Sequence, residues 1–245
     1  YQGANIYKAT NLKSSPTTGA FMSFSNTDSK WFINPFEINP ADGNQIYVPT
    51  KSRLYRSTGT TFTSIINATT KQPYAIGMSN ETNPVLYYGG SSMLLARIDS
   101  AATTIAGKEK SLTSSMPSGL TTDFVGCIKV HPANRNTIFI TLTNYNAQPR
   151  VWKITNCDSV PVWTSISGNL PSSLPCNSFE VDPWSPDSRF IVATDFGLYV
   201  TDDGGATWTK DTRIPNVCIY NIRLRTGDRK LFIFTHGRSA WTANI

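Results

Sequence analysis

The sequence predicts an all-β chain, a β-propeller of four-stranded antiparallel blades, and three observations lead there. A short apolar strand, a Pro/Asn/Asp turn and a second, more apolar strand recur five times along the chain. A third strand follows each pair and a weaker fourth follows most, at a period of about 40–50 residues, which is blade length. Charged residues are only 16% of the 245, while Ser, Thr, Asn, Gly and Pro abound, which suits short strands and many turns rather than amphipathic helices.

The first unit runs Phe36–Pro40, turns through Ala41–Asn44 and returns as Ile46–Val48. The second is Ala75–Met78 with Val85–Gly90, and the third Cys127–Pro132 with Ile138–Ile140. The fourth is Phe179–Pro183 with Phe190–Thr194, and the fifth Asn221–Leu224 with Leu231–Phe234. Third strands are expected at Arg53–Arg56, Leu94–Arg97, Val151–Ile154, Gly197–Val200 and Ser239–Trp241, with Asn5–Thr10 reading as one more. Fourth strands are expected at Thr61–Ile65 and Trp163–Ile166. No gap between strands has room for the helices of a βαβ fold, and a β-sandwich does not explain the four-strand grammar.

The blades are expected at 31–70, 71–120, 121–172 and 173–213, with partial blades at 1–30 and 214–245. About five blades are visible, so residues 1–245 are expected to form a single β-propeller domain or, as the blade count favours, the C-terminal portion of a larger, six- to eight-bladed one. Phe21–Phe24 is a candidate outer strand for the last three strands. The remaining blades would come from a preceding segment or another chain, because open blade faces are apolar.

The net charge is +6, but Lys and Arg are scattered, with no cluster beyond Arg223–Arg225 and Arg229–Lys230. Scattered basic residues read as a solvated surface, so no nucleic-acid partner is expected. No apolar run is long enough for a membrane span. Cys127, Cys157, Cys176 and Cys218 show no C-x-x-C spacing, which argues against zinc. They are either disulfide partners in an exported protein or buried thiols. Two Asn-x-Thr sequons, at Asn67 and Asn80, decide nothing in an Asn-rich chain.

One octet carries a sharper signal. Thr201-Asp202-Asp203-Gly204-Gly205-Ala206-Thr207-Trp208 fits Ser/Thr-x-Asp-x-Gly-x-Thr-Trp and lies between a third and a fourth strand. Asp203 can accept turn N–H groups, Gly205 can take positive φ, and Trp208 can cover the turn, with Thr201 and Thr207 completing the pattern. Decayed copies at Arg56–Phe62 and Thr155–Trp163 keep the aromatic and lose the acid. On these residues the chain resembles the Asp-box (BNR) repeat propellers of sialidases, xyloglucanase-type glycosidases, sortilin-type receptors and exported repeat proteins. The closing segment Leu231–Trp241 is similar to the final blade of the last group. The resemblance implies a propeller whose Asp box staples a turn remote from the binding face; it implies no particular chemistry.

Chemistry is sparsely marked. Glu37, Lys129, Glu180 and Arg223 stand at matching positions of inner strands and are expected to line the channel, either as a ligand site or as mutually neutralising charges. Glycoside hydrolysis needs two facing carboxylates. Asp195 is the candidate for one, while Asp123 has no evident partner and turn chemistry accounts for Asp182 and Asp187. Arg213-Ile214-Pro215 matches a sialidase signature but lies near the wrong end of the chain. His131 and His236 have no partner at a recognisable spacing, so neither a metal, a cofactor nor a Ser-His-Asp triad is expected. Trp31, Tyr145, Trp184 and Tyr220 could stack on a ligand or pack between blades. The expected function is an exported, non-catalytic binding or scaffold module for a protein or glycan. The alternatives are a fragment of a glycoside hydrolase and a component of an extracellular surface assembly.

Overall fold

The computed structural model describes residues 6–8, 20–22, 28–59 and 61–245. It contains four four-stranded antiparallel sheets, a three-stranded sheet and a two-stranded hairpin. The hairpin is β1 (Ile6–Lys8) with β2 (Ala20–Met22). The first blade comprises β3 (Glu37–Ile38), β4 (Gln45–Pro49), β5 (Leu54–Thr58) and β6 (Phe62–Ser64). The second comprises β7 (Pro73–Met78), β8 (Leu86–Gly90), β9 (Leu95–Ile98) and β10 (Lys110–Ser111). The third comprises β11 (Val125–His131), β12 (Asn134–Leu142), β13 (Val151–Thr155) and β14 (Val162–Ser165). The fourth comprises β15 (Cys176–Val181), β16 (Phe190–Thr194), β17 (Gly197–Thr201) and β18 (Thr209–Lys210). The fifth has β19 (Ile219–Arg225), β20 (Lys230–Thr235) and β21 (Ala240–Asn244). In every blade consecutive strands are hydrogen-bonded neighbours, so each sheet is a meander. The chain is a β-propeller.

Burial explains why the second strand of each unit reads as a solid apolar run. All five residues of β4, β8 and β16 are buried, because neighbouring blades, and for one face of β4 the β1–β2 hairpin, cover them. The outer strands are short and largely exposed, as in β10 and β14. The core is a series of interblade layers. Tyr47 and Leu54 of the first blade pack on Ile76, Leu86 and Tyr88 of the second. Ala75, Tyr87 and Leu95 pack on Ile128, Ile138 and Ile140, and Phe139 and Val151 on Phe179, Phe190 and Val192. Ile191, Ala193 and Leu198 pack on Ile222, Leu231 and Ile233. The other face of the first blade holds Ile46, Val48 and Tyr55, against which Ile6 of β1 is packed. Gly77 belongs to this close packing: a Cβ there would lie 2.8 Å from both the side chain and the carbonyl of Ile128.

Two expectations are corrected. Residues 20–22 pair with β1 and not with the last blade, because the hairpin is docked on the first blade through Ile6. Phe24 and most of Asn5–Thr10 lie outside the described residues. The four cysteines are free thiols rather than disulfides. Each sits in its own local packing: Cys157 Sγ donates to the Ile154 carbonyl at 3.5 Å, and Cys176 is buried in the layer between the third and fourth blades.

The turn after the inner strand repeats in three blades. Asn39, His131 and Asp182 each precede a proline, and each side chain accepts the N–H two residues on, from Ala41 (3.0 Å), Ala133 (3.1 Å) and Trp184 (3.0 Å). This Asx-type turn accounts for His131 and Asp182 without any ligand.

Between β12 and β13 the chain crosses over a fully buried Arg150, whose guanidinium reaches Asp123 (3.2 Å) and the carbonyls of Asn144 and Gln148 (2.6 Å each). Both partners have 0% side-chain exposure, so losing one strands the other's charge. Asp123→Ala is expected to cost about 3–5 kcal/mol in urea unfolding. Replacing the pair together by apolar residues is expected to cost less than either single change.

Candidate ligand-binding recess

Because the strands alternate in direction, the starts of all inner strands lie at one end of the channel, the upper face, with the turns between second and third strands. At this end a recess of about 550 Å³ is lined by all five blades. Its rim is set by a repeated irregularity. β7, β11, β15 and β19 each carry a register shift after their first residue, which places Tyr74, Gly126, Asn177 and Tyr220 as extra residues outside the ladder. A β-bulge re-aims the extra side chain, and all four residues line the recess. Below them Ala75, Cys127, Ser178 and Asn221 form a narrower wall.

The floor is the charged layer. Lys129 Nζ donates to Glu180 Oε1 at 2.8 Å, and Arg223 to Glu37 Oε1 at 2.6 Å; Gly77 occupies the matching position of the second blade. The two pairs cancel, and the second joins the last blade to the first. A second opening of about 680 Å³ lies on the lower face, walled by Pro40, Pro132 and Pro183.

Four hydrogen-bonded side chains from three blades support the rim. Asp195 Oδ1 accepts from Asn177 Nδ2 (2.8 Å) and the Cys218 thiol (3.2 Å), while Oδ2 accepts from the Tyr145 hydroxyl. Burial pushes the Asp195 carboxyl up, but the bonds from Tyr145, Asn177 and Cys218 outweigh it and hold the group below the usual carboxylate range. Burial, then the bond and charge of Asp195, push the Cys218 thiol up to about 12. Asn177 Nδ2 also donates to the Ile219 carbonyl (3.2 Å), so both amide hydrogens are spent and the orientation of the amide is fixed. Asn34 Nδ2 donates to the Pro49 carbonyl, and its Oδ1 is buried without a hydrogen-bond partner.

The other sequence-predicted residues fall elsewhere. Asp123 is the buried partner of Arg150, and exposed Asp187 is paired with Lys153 at 3.1 Å. Arg213 grips Asp211 through two bonds (2.6 and 3.0 Å) on the perimeter. Trp31 is half-buried, donates to the Pro73 carbonyl (2.9 Å) and packs edge-on against Tyr74 and Phe124, so it joins blades. Trp184, on the lower face, lies under the Arg229 guanidinium at 4.1 Å. Tyr145 and Tyr220 are exposed on the upper face, the latter 5.5 Å from the His236 ring. Among the described residues no group of three or more His, Cys, Asp and Glu side chains could hold a metal, and no helix is long and apolar enough to cross a membrane. Asn177 and Tyr74 escaped the sequence reading because a bulge residue carries no periodic signal, and Asn34 because it lies in the irregular segment before β3.

The octet Thr201–Trp208 lies at the opposite, lower end. Thr201 Oγ1 donates to Asp203 (2.7 Å) and accepts from Gly205 N (3.1 Å), and Asp203 accepts the Thr207 N–H (2.9 Å) and hydroxyl. These donors, led by the Thr207 hydroxyl, lower the Asp203 carboxyl to about 2. Gly205 has φ +92°, and a Cβ there would meet the Ile166 carbonyl at 2.4 Å. The Trp208 indole donates to that carbonyl (2.9 Å), across to the preceding blade. Trp163, in a decayed copy, donates in the same way to Leu112 O (3.2 Å) of its own preceding blade. The aromatic staple thus outlasts the acid.

No family model matches the chain, and no curated protein matches it in sequence. Solved structures match it in fold. The β-propeller domain of Cps50 (Swd1) from Myceliophteria thermophila aligns with a TM-score of 0.63 at 14% identity, over 84% of this chain and 64% of that one. The GH74 enzyme of Niastella koreensis aligns at 0.61 and 17%, over 85% of this chain and 36% of the enzyme. A chain of the nidogen–laminin complex aligns at 0.65 and 13%, over 99% and 87%. The chain therefore spans less than two thirds of the first two. At these identities the likeness establishes the fold.

Two titrations follow from the geometry. Cys218 is expected to alkylate slowly at pH 8 and faster in Asp195→Asn, read by mass spectrometry of the modified peptide. Burial holds the His131 imidazole below its ordinary 6.5. Its neutral form therefore supports the fold fully above that pH, and the contribution is lost as pH falls through 6.5 toward the folded value. An NMR titration midpoint for His131 at or above 6.5 would contradict this.

Proposed function

We propose that this chain is a non-catalytic binding module, part of an exported Asp-box propeller, that engages a protein partner through its upper face. The observation that carries the reading is the concentration of exposed apolar side chains there. Phe32 (72% exposed), Ile33 (75%), Phe36 (51%), Tyr145 (65%), Phe196 (55%) and Tyr220 (60%) stand on loops or strand ends at that end. Exposed aromatic patches around a recess mark interaction sites on soluble folds. The hydrogen-bonded octet at the lower end fits the Asp-box role of a turn staple remote from that face. The nidogen–laminin structure, a protein complex, supports the reading by its similar fold.

The likeness to a GH74 enzyme favours a second reading, a glycosidase fragment with Asp195 as one carboxylate. The surroundings of Asp195 weigh against it. Its oxygens are engaged by a tyrosine, an asparagine and a cysteine, it does not line the recess, and its lowered pKa does not suit a general acid.

Affinity capture from the native source tests the assignment. Wild type and the lower-face variant Trp184→Ala are expected to retain the same partner, and Tyr145→Ala/Tyr220→Ala to bind it about tenfold less, as tyrosine hot spots do. Loss that follows Trp184→Ala instead would sink the upper-face assignment. Turnover of polysaccharides or sialosides that disappears in Asp195→Ala would replace binding with catalysis.

A further inference from the structure

We propose that the recess accepts an uncharged, hydrogen-bonding side chain of the partner polypeptide, of the Asn, Gln or Tyr kind, and discriminates against Asp, Glu, Lys and Arg. The proposal rests on the upper-face binding reading and concerns the chemistry of that same site.

Three features of the lining carry it. The rim offers an oriented acceptor. Asn177 spends its amide hydrogens on two fixed acceptors, the Ile219 carbonyl and the Asp195 carboxylate. Because a carbonyl oxygen can only accept, the amide cannot flip without losing a bond. No hydrogen bond from a described residue reaches Asn177 Oδ1, which leaves it to a ligand N–H or O–H. A carboxylate, which can only accept, is disfavoured there.

The floor is electrically spent. Arg223 is committed to Glu37 and Lys129 to Glu180, so an incoming charge either breaks one of these pairs or is buried without a counter-charge. Arg223 donates to Glu37 through one terminal nitrogen only. Its remaining N–H groups can meet a neutral carbonyl or phenol oxygen. A carboxamide or phenol carries both donor and acceptor, and matches rim and floor at once.

The surroundings favour a polypeptide over a sugar. Phe36, Tyr74 and Tyr220 present aromatic surface at the recess and would stack on either. Phe32, Ile33 and Phe196 extend exposed apolar surface beyond the recess lining, where a flanking peptide would cover them. Asp195 is a positioning residue in this scheme. It holds Asn177 and Tyr145 in place and does not itself line the recess.

The test is an NMR titration of the intact chain with N-acetyl, N′-methylamide derivatives of Gln, Tyr, Arg and Glu, with a methyl glycoside alongside, following the side-chain amide resonances of Asn177. Gln and Tyr derivatives are expected to shift these resonances and to bind about tenfold tighter than Arg or Glu. Raising the salt concentration is expected to leave their affinity unchanged. Tyr220→Ala, at an exposed position, and Asn177→Leu are expected to abolish the preference. Asp195→Asn is expected to weaken Gln binding while Glu and Arg stay weak, an effect a general loss of stability would not produce. Equal or tighter binding of Arg or Glu overturns the proposal and leaves the binding face standing. Shifts by the glycoside alone replace the polypeptide with a sugar. Silence from every probe overturns both the proposal and the recess as the binding site.

Discussion

The whole structure depends on the burial of second strands such as β4, β8 and β16 between the elements on either side. β4, β8 and β16 expose almost nothing on either face, so no blade could stand alone in water. Stability is therefore shared across interfaces rather than held within sheets. Ile128 of the third blade, for example, packs in the layer it shares with Ala75 and Tyr87 of the second. The Gly77 contact shows how tight this is: no side chain is tolerated where one inner strand leans on the next. Packing blade upon blade also forces the inner strands to converge, and the channel with its two openings is the geometric result.

That convergence explains the ion pairs. Inner strands brought side by side place Glu37 near Arg223 and Lys129 near Glu180, and each charge is neutralised by a neighbouring chain segment. The cost of desolvating charges in a narrow channel is offset only when they are paired. A bulge just above this layer then changes the chemistry. The register shift frees Tyr74, Asn177 and Tyr220 from the ladder, so the rim can vary without disturbing the strands beneath.

The repeat was legible because it is written in period and composition. Phe190–Thr194 reads as a buried strand, and it is buried throughout. The four inner-strand charges were legible as a layer because they share a register, although their pairing needed coordinates. What escaped the sequence depends on contacts between distant residues. Nothing local marks Asn177 as the partner of Asp195, 18 residues away, or Tyr145 as its third member, 50 residues away. The hairpin was misassigned for a similar reason. An apolar run such as Ala20–Met22 declares that it will pair but not with which edge, and the docking of Ile6 on the first blade decides that.

The two ends of the propeller divide their duties in a way that the decayed octets make plain. At the lower end Trp208 and Trp163 both reach across to the carbonyl of the preceding blade, although only one keeps the aspartate turn. The indole bond holds blades together, so it persists; the carboxylate only tightens a solvent-exposed turn, so it can be lost. Bonds at the upper end run the other way. There the Asp195 network ties three blades around an open recess and fixes the orientation of the Asn177 amide at its rim. On the binding reading proposed for the upper face, bonds that consume polar capacity serve support, and the oriented Asn177 oxygen they leave over serves recognition. Placing the two at opposite ends of the same strands lets the rim change its residues while the staples keep the blades in register.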